Sequence, residues 1–394
     1  MNPSARGWID KLLTSLFHNK DYSNLTFNEL YNSLRQTGFI YGSSIGVVRE
    51  YIINNDLTTE ECGKVNLMIA FNCVYKNAEI QQPFVSHLIE FYRAINQYKT
   101  TLFDELIGGK TANSSDLEKI IHRRVQIDPN FLTKNFNYFV TNAFLFIDVL
   151  AYIKYVEDGT ISEEYLKNLE ATIEAIAYKG LSSKAKKNQF DANLMELIEA
   201  SLRYQDYKTI NYKKALSHVK YFSERKYLFD IACMTTWSDH KVDFSEQEFL
   251  TNLATDLDLN SDLKDIAIQE VHDFYSINQS NLALLSSKNV VQNFYDNSSR
   301  MVSKLLTRNG KRLNKELKES KEVVRLISQS TIRELTTEEQ KQLQTQLLDI
   351  FKTIPSLAIF MLPGGALLLP LVIKFIPKLL PSAFDDNRID KDSI

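Results

Sequence analysis

The chain of 394 residues has few cysteines, and outside one short segment it has few prolines. Its three cysteines, Cys62, Cys73 and Cys233, lie far apart, which argues against a disulfide framework and against a zinc site. The net charge of −3 is too small to attract nucleic acid or lipid in general, so no DNA partner is expected. Any electrostatic partner must therefore bind a local cluster of charge.

Recognisable catalytic signatures are also missing. The sequence has no GxSxG elbow, HExxH helix, GxGxxG turn or paired CxxC, and its six histidines are scattered. The "GGKT" at 108–111 lacks the earlier glycine of a phosphate-binding loop, because Asp104 stands there, and a helical segment precedes it. We interpret "GGKT" as a helix end with a linker. A non-enzyme without a cofactor is expected.

Helix-breaking residues are rare before residue 350, where three prolines and ten glycines occur. Apolar residues in "LTKNFNYFVTNAFLFIDVLAYIKYVEDG" recur at three- and four-residue steps, which is the helical period. The fold is therefore predicted to be all-α. The aromatic residues predicted to be core rather than a ligand site are Phe131, Phe136, Phe139, Phe144 and Phe146.

Helix boundaries can be read from local chemistry. Ser162 precedes an acidic first turn, and Thr336 with Glu339 fits a capping box, so each pair of features predicts a helix start. The "RNGK" at 308–311 has helical sequence on both sides and predicts a turn between two helices.

A faint internal repeat links three segments: "LMIAFNCVYKNAEI" from Leu67, "DVLAYIKYVEDGTI" from Asp148 and "FDIACMTTWSDHKV" from Phe229. They are 81 residues apart each time, since 148 − 67 and 229 − 148 both equal 81. In each, an apolar helix is followed by a polar turn and a second helix, which predicts repeated helical hairpins. Chance similarity is the open alternative.

The third segment, within about 220–260, resembles the TerB-like helical module of tellurite-resistance proteins. Its acidic residues Asp239, Asp243 and Glu246 are weak candidates for a divalent cation, because hard cations favour carboxylate oxygens. The alternative is that these residues cap a helix and interact with its dipole. The spacing does not fit an EF-hand loop, so no metal site is expected.

The last apolar segment differs from the rest of the chain. Twenty uncharged residues run from Ile354 through Ile373, and five of the eight prolines fall within 27 residues. Interior prolines cost a soluble helix roughly 3 kcal/mol each, whereas membrane helices tolerate them better. The segment predicts one membrane span or a broken hairpin hinged at Gly364 and Gly365. A proline-kinked hairpin buried by the helical region is the alternative.

The second half of this segment predicts an amphipathic helix. Lys374 and Lys378 share one face with the prolines that are spaced by seven residues. The prolines of that face are Pro363, Pro370 and Pro377, and the opposite face holds Leu371, Val372, Phe375, Ile376 and Leu379.

Upstream, "KLLTRNGKRLNKELKESKEVVRLI" has eight basic and three acidic residues, a local excess of five positive charges. Such a helix could lie near anionic lipid or an RNA backbone. A solvated helix face with internal ion pairs is the alternative. The basic surface is predicted to consist of Arg308, Lys311, Arg312, Lys315 and Lys318.

The stretch "IPSLAIFMLPGGALLLPLVIKFIPKLLPSAF" resembles the membrane segment of the leucine-zipper and EF-hand-containing transmembrane (LETM) family. The residues that fill the family's motif without a gap are Pro355, Pro363, Pro370, Lys374, Pro377, Pro381, Ser382 and Phe384. The resemblance implies membrane association. It also implies cation/proton exchange and a downstream domain of a ribosome-binding type, as in the family's mitochondrial members.

Two departures limit this resemblance. The family has an acidic residue three positions after the internal proline, a natural carrier of protons or cations in hydrocarbon, and this chain has Ala366 there. Only ten residues follow Phe384, so no downstream domain is expected. Related short proteins look bacterial, and some are named for biofilms. The implied location is a bacterial inner membrane with the N-terminal region in the cytoplasm.

The sequence therefore predicts a membrane-anchored scaffold or partner-binding protein rather than an enzyme. Its expected partners are the lipid membrane, a protein or ribosome, and further copies of the chain. Cation/proton exchange and a soluble interaction protein with a buried hairpin are the alternatives. The predicted segments are an N-terminal helical region at 1–110, a helical region with the TerB-like module at 111–300, a basic region at 301–350, the LETM-like segment at 351–384 and a polar tail at 385–394.

Overall fold

The structure of the protein is a computed structural model. It describes residues 2–48, 57–78, 80–96, 113–125, 145–183, 212–237, 244–278, 299, 301–354, 357, 360 and 368–381. Within these ranges the secondary structure is helical and no strand is present, which confirms the all-α prediction.

The helices are labelled here in chain order. They are α1 Trp8–Phe17, α2 Lys20–Asn24, α3 Phe27–Gln36, α4 Thr59–Lys76, α5 Phe84–Asn96, α6 Ser114–Val125, α7 Phe146–Asp158, α8 Glu163–Ser183, α9 Tyr212–Leu216, α10 Phe222–Thr236, α11 Phe244–Asp256, α12 Ser261–Asn278, α13 Gly310–Glu319, α14 Lys321–Ser330, α15 Thr337–Thr353 and α16 Leu369–Leu379. Residues 301–308 are also helical.

The chain divides into two compact units. Helices α1 to α12 belong to the first unit, and helices α13 to α16 belong to the second unit together with the helical residues 301–308. The five segments expected from sequence stay a prediction.

Three helix pairs organise the first unit, and each begins with one of the segments that align in sequence. The pairs are α4 with α5, α7 with α8, and α10 with α11, and in each pair the two helices pack against each other. The aligned alanines Ala70, Ala151 and Ala232 are all buried in the first helix of their pair. In each pair the first helix is buried in the core, and the interpretation of the three pairs as copies of one repeat stays a prediction.

Side-chain caps fix where several helices begin. Thr58 and Glu61 form a capping box at α4, with backbone-to-side-chain distances of 2.9 and 3.2 Å. The predicted caps are confirmed. The Ser162 hydroxyl accepts a hydrogen bond from the Tyr165 backbone N–H at the start of α8, and Thr336 with Glu339 forms the capping box of α15.

Phe146, at the start of α7, lies at the centre of the first unit. Its ring centroid is 5.2 Å from that of Tyr31 on α3 and 5.0 Å from that of Tyr227 on α10. Such contacts between aromatic rings stabilise a core beyond the burial of their area. The prediction that Phe146 is core is confirmed. The other four predicted core aromatics (Phe131, Phe136, Phe139 and Phe144), like the "GGKT" at 108–111, lie outside the described residues.

In the second unit, α14 packs against α13, α15 and α16. Its inward side chains Val323, Val324, Leu326 and Ile327 have no solvent exposure. The turn predicted at "RNGK" is confirmed, because the helix of 301–308 ends there and α13 starts after Asn309. The short α14 is therefore the element that the other three helices of this unit share.

Candidate functional site

The helix α16 contains the second half of the LETM-like segment. Pro370 stands in its first turn, where a proline displaces no intrahelical hydrogen bond. Pro377 lies inside the last turn, and the helix ends after Leu379. Pro370 is thus tolerated at the helix start, whereas Pro377 removes one backbone hydrogen bond from the last turn.

The two faces of α16 have different surroundings. Leu371, Val372 and Ile376 are buried, whereas Lys374 and Lys378 are exposed. Phe375 and Leu379 are partly buried, and Pro370 is exposed. The predicted amphipathic helix is therefore confirmed, with its lysines on the open side.

The apolar face of α16 packs against α14. Beyond the helix, Leu380 reaches the start of α13, where a Cβ added to Gly310 would stand 3.2 Å from Cδ2 of Leu380. Such a separation is tighter than an ordinary van der Waals contact, so glycine suits this position. The end of the hydrophobic segment is thus seated within the second unit.

A membrane span is not seen among the described residues, since none of their helices is both long enough and apolar enough to cross a bilayer. The predicted proline-rich apolar span is therefore not shown. Leu357 and Phe360 are buried, and the Phe360 ring lies 5.1 Å from that of Phe351. The motif residues that lie outside the described ranges are Pro355, Pro363, Gly364, Gly365, Ser382 and Phe384.

The predicted basic surface lies on α13. Lys311, Arg312, Lys315 and Lys318 are exposed and Arg308 is partly buried, whereas Leu313 and Leu317 face the core. Lys311, Lys315 and Lys318 follow at i, i+4 and i+7, so they form a stripe along one side of the helix.

Three side chains of this surface, Lys311, Arg312 and Lys315, are exposed to solvent. Among the ion pairs found between described residues, none includes Lys311, Arg312 or Lys315. By contrast, Arg325 on α14 pairs with Glu322 at 2.6 Å. Lys311, Arg312 and Lys315 are therefore exposed basic side chains that an anionic partner can reach.

The proposed metal candidates are not brought together within the described part of the chain. Glu246 is buried in the first turn of α11, and Asp239 and Asp243 lie outside the described residues. In the ranges that the structure covers, no group of three His, Cys, Asp or Glu side chains is placed to hold a metal ion. The candidate cluster therefore stays a prediction.

Three buried clusters of charge in the first unit were not predicted from sequence. In the first, the Arg35 Nε and Nη2 atoms donate to Oδ2 of Asp230 at 3.1 and 2.9 Å, and the Tyr31 hydroxyl donates to the same oxygen at 2.5 Å. Burial alone would lower the pKa of Arg35, but Asp230 raises it above its usual value. This pair joins α3 to α10.

A second buried pair joins Arg124 on α6 to Asp148 on α7. The Tyr92 hydroxyl on α5 donates to the same carboxylate at 3.2 Å. Asp148 and Asp230 each interrupt an apolar run, "FIDVL" and "LFDIA". An acid in such a run indicates a buried partner, but it does not say which arginine supplies the charge.

The third cluster contains Glu60, Lys64 and His122. The Lys64 Nζ atom lies 2.5 Å from Oε1 of Glu60 and 2.7 Å from Nδ1 of His122. Burial, and then the charge of Lys64, lowers the pKa of His122 to about 2. The imidazole is therefore neutral and accepts a hydrogen bond from the ammonium group. Because only 1% of the Lys64 side chain is exposed, we assign this cluster to α4–α6 packing rather than catalysis.

Comparison with known proteins finds a family match at the C-terminal end of the chain and two similar relatives. Residues 335–393 match a protein-family model described as "LETM1-like, RBD". The chain is also 42% identical over 60 residues to the LETM1 domain-containing protein mdm28, mitochondrial, of Schizosaccharomyces pombe. It is 47% identical over 53 residues to the mitochondrial proton/calcium exchanger protein of Drosophila melanogaster. No solved structure matches.

These matches cover 15% and 14% of this chain, and only 12% and 5% of the two relatives. The resemblance to the LETM family is thus supported for α15, the hydrophobic segment and the tail. Both relatives are mitochondrial by name, so the expected bacterial and biofilm associations gain no support. The TerB-like module gains none either.

The buried pair at Asp230 leads to a stability prediction. In Asp230→Ala, the Arg35 guanidinium stays buried without its carboxylate, so we expect a loss of about 3–5 kcal/mol in the free energy of unfolding. Urea denaturation followed by circular dichroism measures this loss. The matched control is Asp265→Ala on α12, where the carboxylate is exposed and pairs weakly with Lys264 at 3.6 Å. The control should cost less than about 1 kcal/mol, and equal losses would contradict the assignment.

The depressed pKa of His122 predicts a pH dependence. The unfolded histidine binds a proton below about pH 6.5 whereas the folded one does not, so stability falls as pH drops from 6.5 towards 5. The slope from this residue should stay below about 1.4 kcal/mol per pH unit, because only one proton is involved. Denaturation of the wild type and His122→Asn at several pH values gives a difference curve. A flat curve would overturn the assignment.

Proposed function

We propose that the chain is a non-enzymatic, LETM-like helical protein that associates with anionic membranes through its second unit. The observation that carries this proposal is the amphipathic α16, which presents Lys374 and Lys378 on its open side. This helix lies within the residues that match the LETM1-like family model. The proposal carries one property that the resemblance to the LETM family implies, association with membranes, over to this chain.

The dimensions of α16 favour contact along a surface. Its 11 residues rise roughly 16 Å at 1.5 Å per residue, about half the thickness of a hydrocarbon core. Amphipathic helices with lysines on the polar face lie in the plane of the membrane interface. We therefore place the lysine face of α16 against lipid head groups.

The stripe on α13 supplies the electrostatic part of the interaction. A lysine close to an anionic leaflet contributes about 1 kcal/mol, and this contribution falls off within a Debye length. Lys311 and Lys315 make no ion pair with a described residue, so binding lipid breaks no internal pair of theirs. The partner chemistry that fits this stripe is a phosphate-bearing surface.

The first unit serves as a scaffold in this proposal. Its charged clusters at Asp230, Asp148 and Lys64 are buried in helix–helix contacts, where they hold the hairpins together. Binding of a protein partner, self-association, and a bacterial inner-membrane location with this unit in the cytoplasm remain predictions from the sequence.

The electrostatic part of the proposal predicts that Lys311→Glu/Lys315→Glu weakens binding to vesicles. We expect at least about a tenfold loss at low salt, since two contributions of about 1 kcal/mol are removed and repulsion is added. Flotation with phosphatidylcholine vesicles, with and without about one third phosphatidylglycerol, measures the binding.

The control variant Lys11→Glu/Lys20→Glu changes the net charge equally at two exposed lysines of the first unit. It should bind as the wild type does. Equal binding of the wild type to neutral and anionic vesicles would overturn the proposal. Salt-sensitive sedimentation with ribosomes, without any flotation, would instead favour an RNA-bearing partner for the same stripe.

A second candidate function is cation/proton exchange, which the name of the Drosophila relative favours. Its weakness is the uncharged run from Ile354 to Ile373, where Ala366 stands in place of the family's acidic residue. If the exchange proposal is right, proteoliposomes containing the chain release calcium when a proton gradient is imposed, and Ala366→Asp increases the rate. Flux equal to that of empty liposomes for both proteins would exclude this candidate.

A further inference from the structure

The apolar face of α16 has one partner in the folded chain and a second potential partner in a bilayer. In the second unit, Leu371, Val372 and Ile376 are covered as α16 packs against α14. Acyl chains are as apolar as leucine, so moving such a face from protein to lipid changes its hydrophobic stabilisation little. The position of α16 therefore depends on smaller interactions, which a membrane surface can alter.

Two features of α16 favour the transfer of its apolar face from α14 to a bilayer. The helix already carries Lys374 and Lys378 on its outer face, so rotation into the interface leaves both lysines among head groups. Pro377 removes a backbone hydrogen bond from its last turn, so this end is held largely by packing, including the contact of Leu380 with Gly310.

We propose that α16 is a releasable membrane-binding helix: it is stored on α14 in the free protein and transfers its apolar face to the bilayer interface after the basic stripe has docked. This inference rests on the proposed membrane association and adds a second step to it. In the first step lysines bind head groups reversibly. In the second step Leu371, Val372 and Ile376 enter the acyl boundary and resist removal.

The contact at Gly310 provides a way to lock the helix in its stored position. A Cβ at Gly310 would stand 3.2 Å from Cδ2 of Leu380, so cysteines at the two positions face each other, and mass spectrometry of the oxidised protein verifies that the disulfide has formed. The double variant Gly310→Cys/Leu380→Cys is prepared as the full chain, oxidised or reduced, and the two single variants are treated in the same way. The native cysteines Cys62, Cys73 and Cys233 are buried.

Two measurements separate the two steps. Flotation with anionic vesicles reports docking, and the fraction that stays in the vesicles after carbonate washing reports insertion. We expect oxidised and reduced protein to float equally, but the oxidised protein to lose at least about tenfold of its carbonate-resistant fraction. Reduction of the same sample should restore that fraction.

The other possible results distinguish a failure of membrane association from a failure of the release of α16. If the reduced protein does not float at all, the proposed membrane association fails and the release of α16 fails with it. If both forms float and resist carbonate equally, membrane association stands and release is wrong. If both forms float but carbonate removes both, the protein binds only through its charges, and release is again wrong.

A second variant tests the same step in the opposite direction. Gly310→Val places side-chain atoms against Leu380 and should weaken the stored position, so we expect a several-fold rise in the carbonate-resistant fraction. The matched control is Gly46→Val in the first unit, where an added Cβ meets no atom within 4 Å. An unchanged fraction in Gly310→Val, with flotation retained, would contradict the proposal.

Discussion

The burial of three helices, α4, α7 and α10, is the constraint on which the first unit depends. The helices α4, α7 and α10 each pack their alanine and its neighbours inside the core, so any charge on them must find a partner there. Asp230 and Asp148 meet that condition through Arg35 and Arg124. These pairs tie the hairpins to α3 and α6, and they explain why charged clusters in this unit are structural.

The second unit differs from the first, because its helix α16 is apolar on only one face and only that face has to be covered. Covering Leu371, Val372 and Ile376 against α14 stabilises the unit by about 1.5–3 kcal/mol for each side chain. The same coverage leaves the lysine face open. The second half of a segment that resembles a membrane element in sequence is thus a helix of this unit, and its lysine face is exposed.

Much of the local structure could be predicted, because it depends on neighbours in sequence. The capping box at Thr336, the cap at Ser162, the turn after Arg308 and the two faces of α16 follow from spacings of a few residues. The buried pairs could not be predicted in this way. Arg35 and Asp230 are 195 residues apart, and nothing local to either residue selects the other.

The sequence by itself determined that the chain is helical and that α16 carries apolar and lysine faces, since periodicity and capping act over a few residues. Only the tertiary structure decided what covers each apolar face. An apolar surface gains similar free energy from any apolar partner, whether protein or lipid. The choice of α14 for α16 therefore depends on packing between distant segments, including the close approach of Gly310 and Leu380.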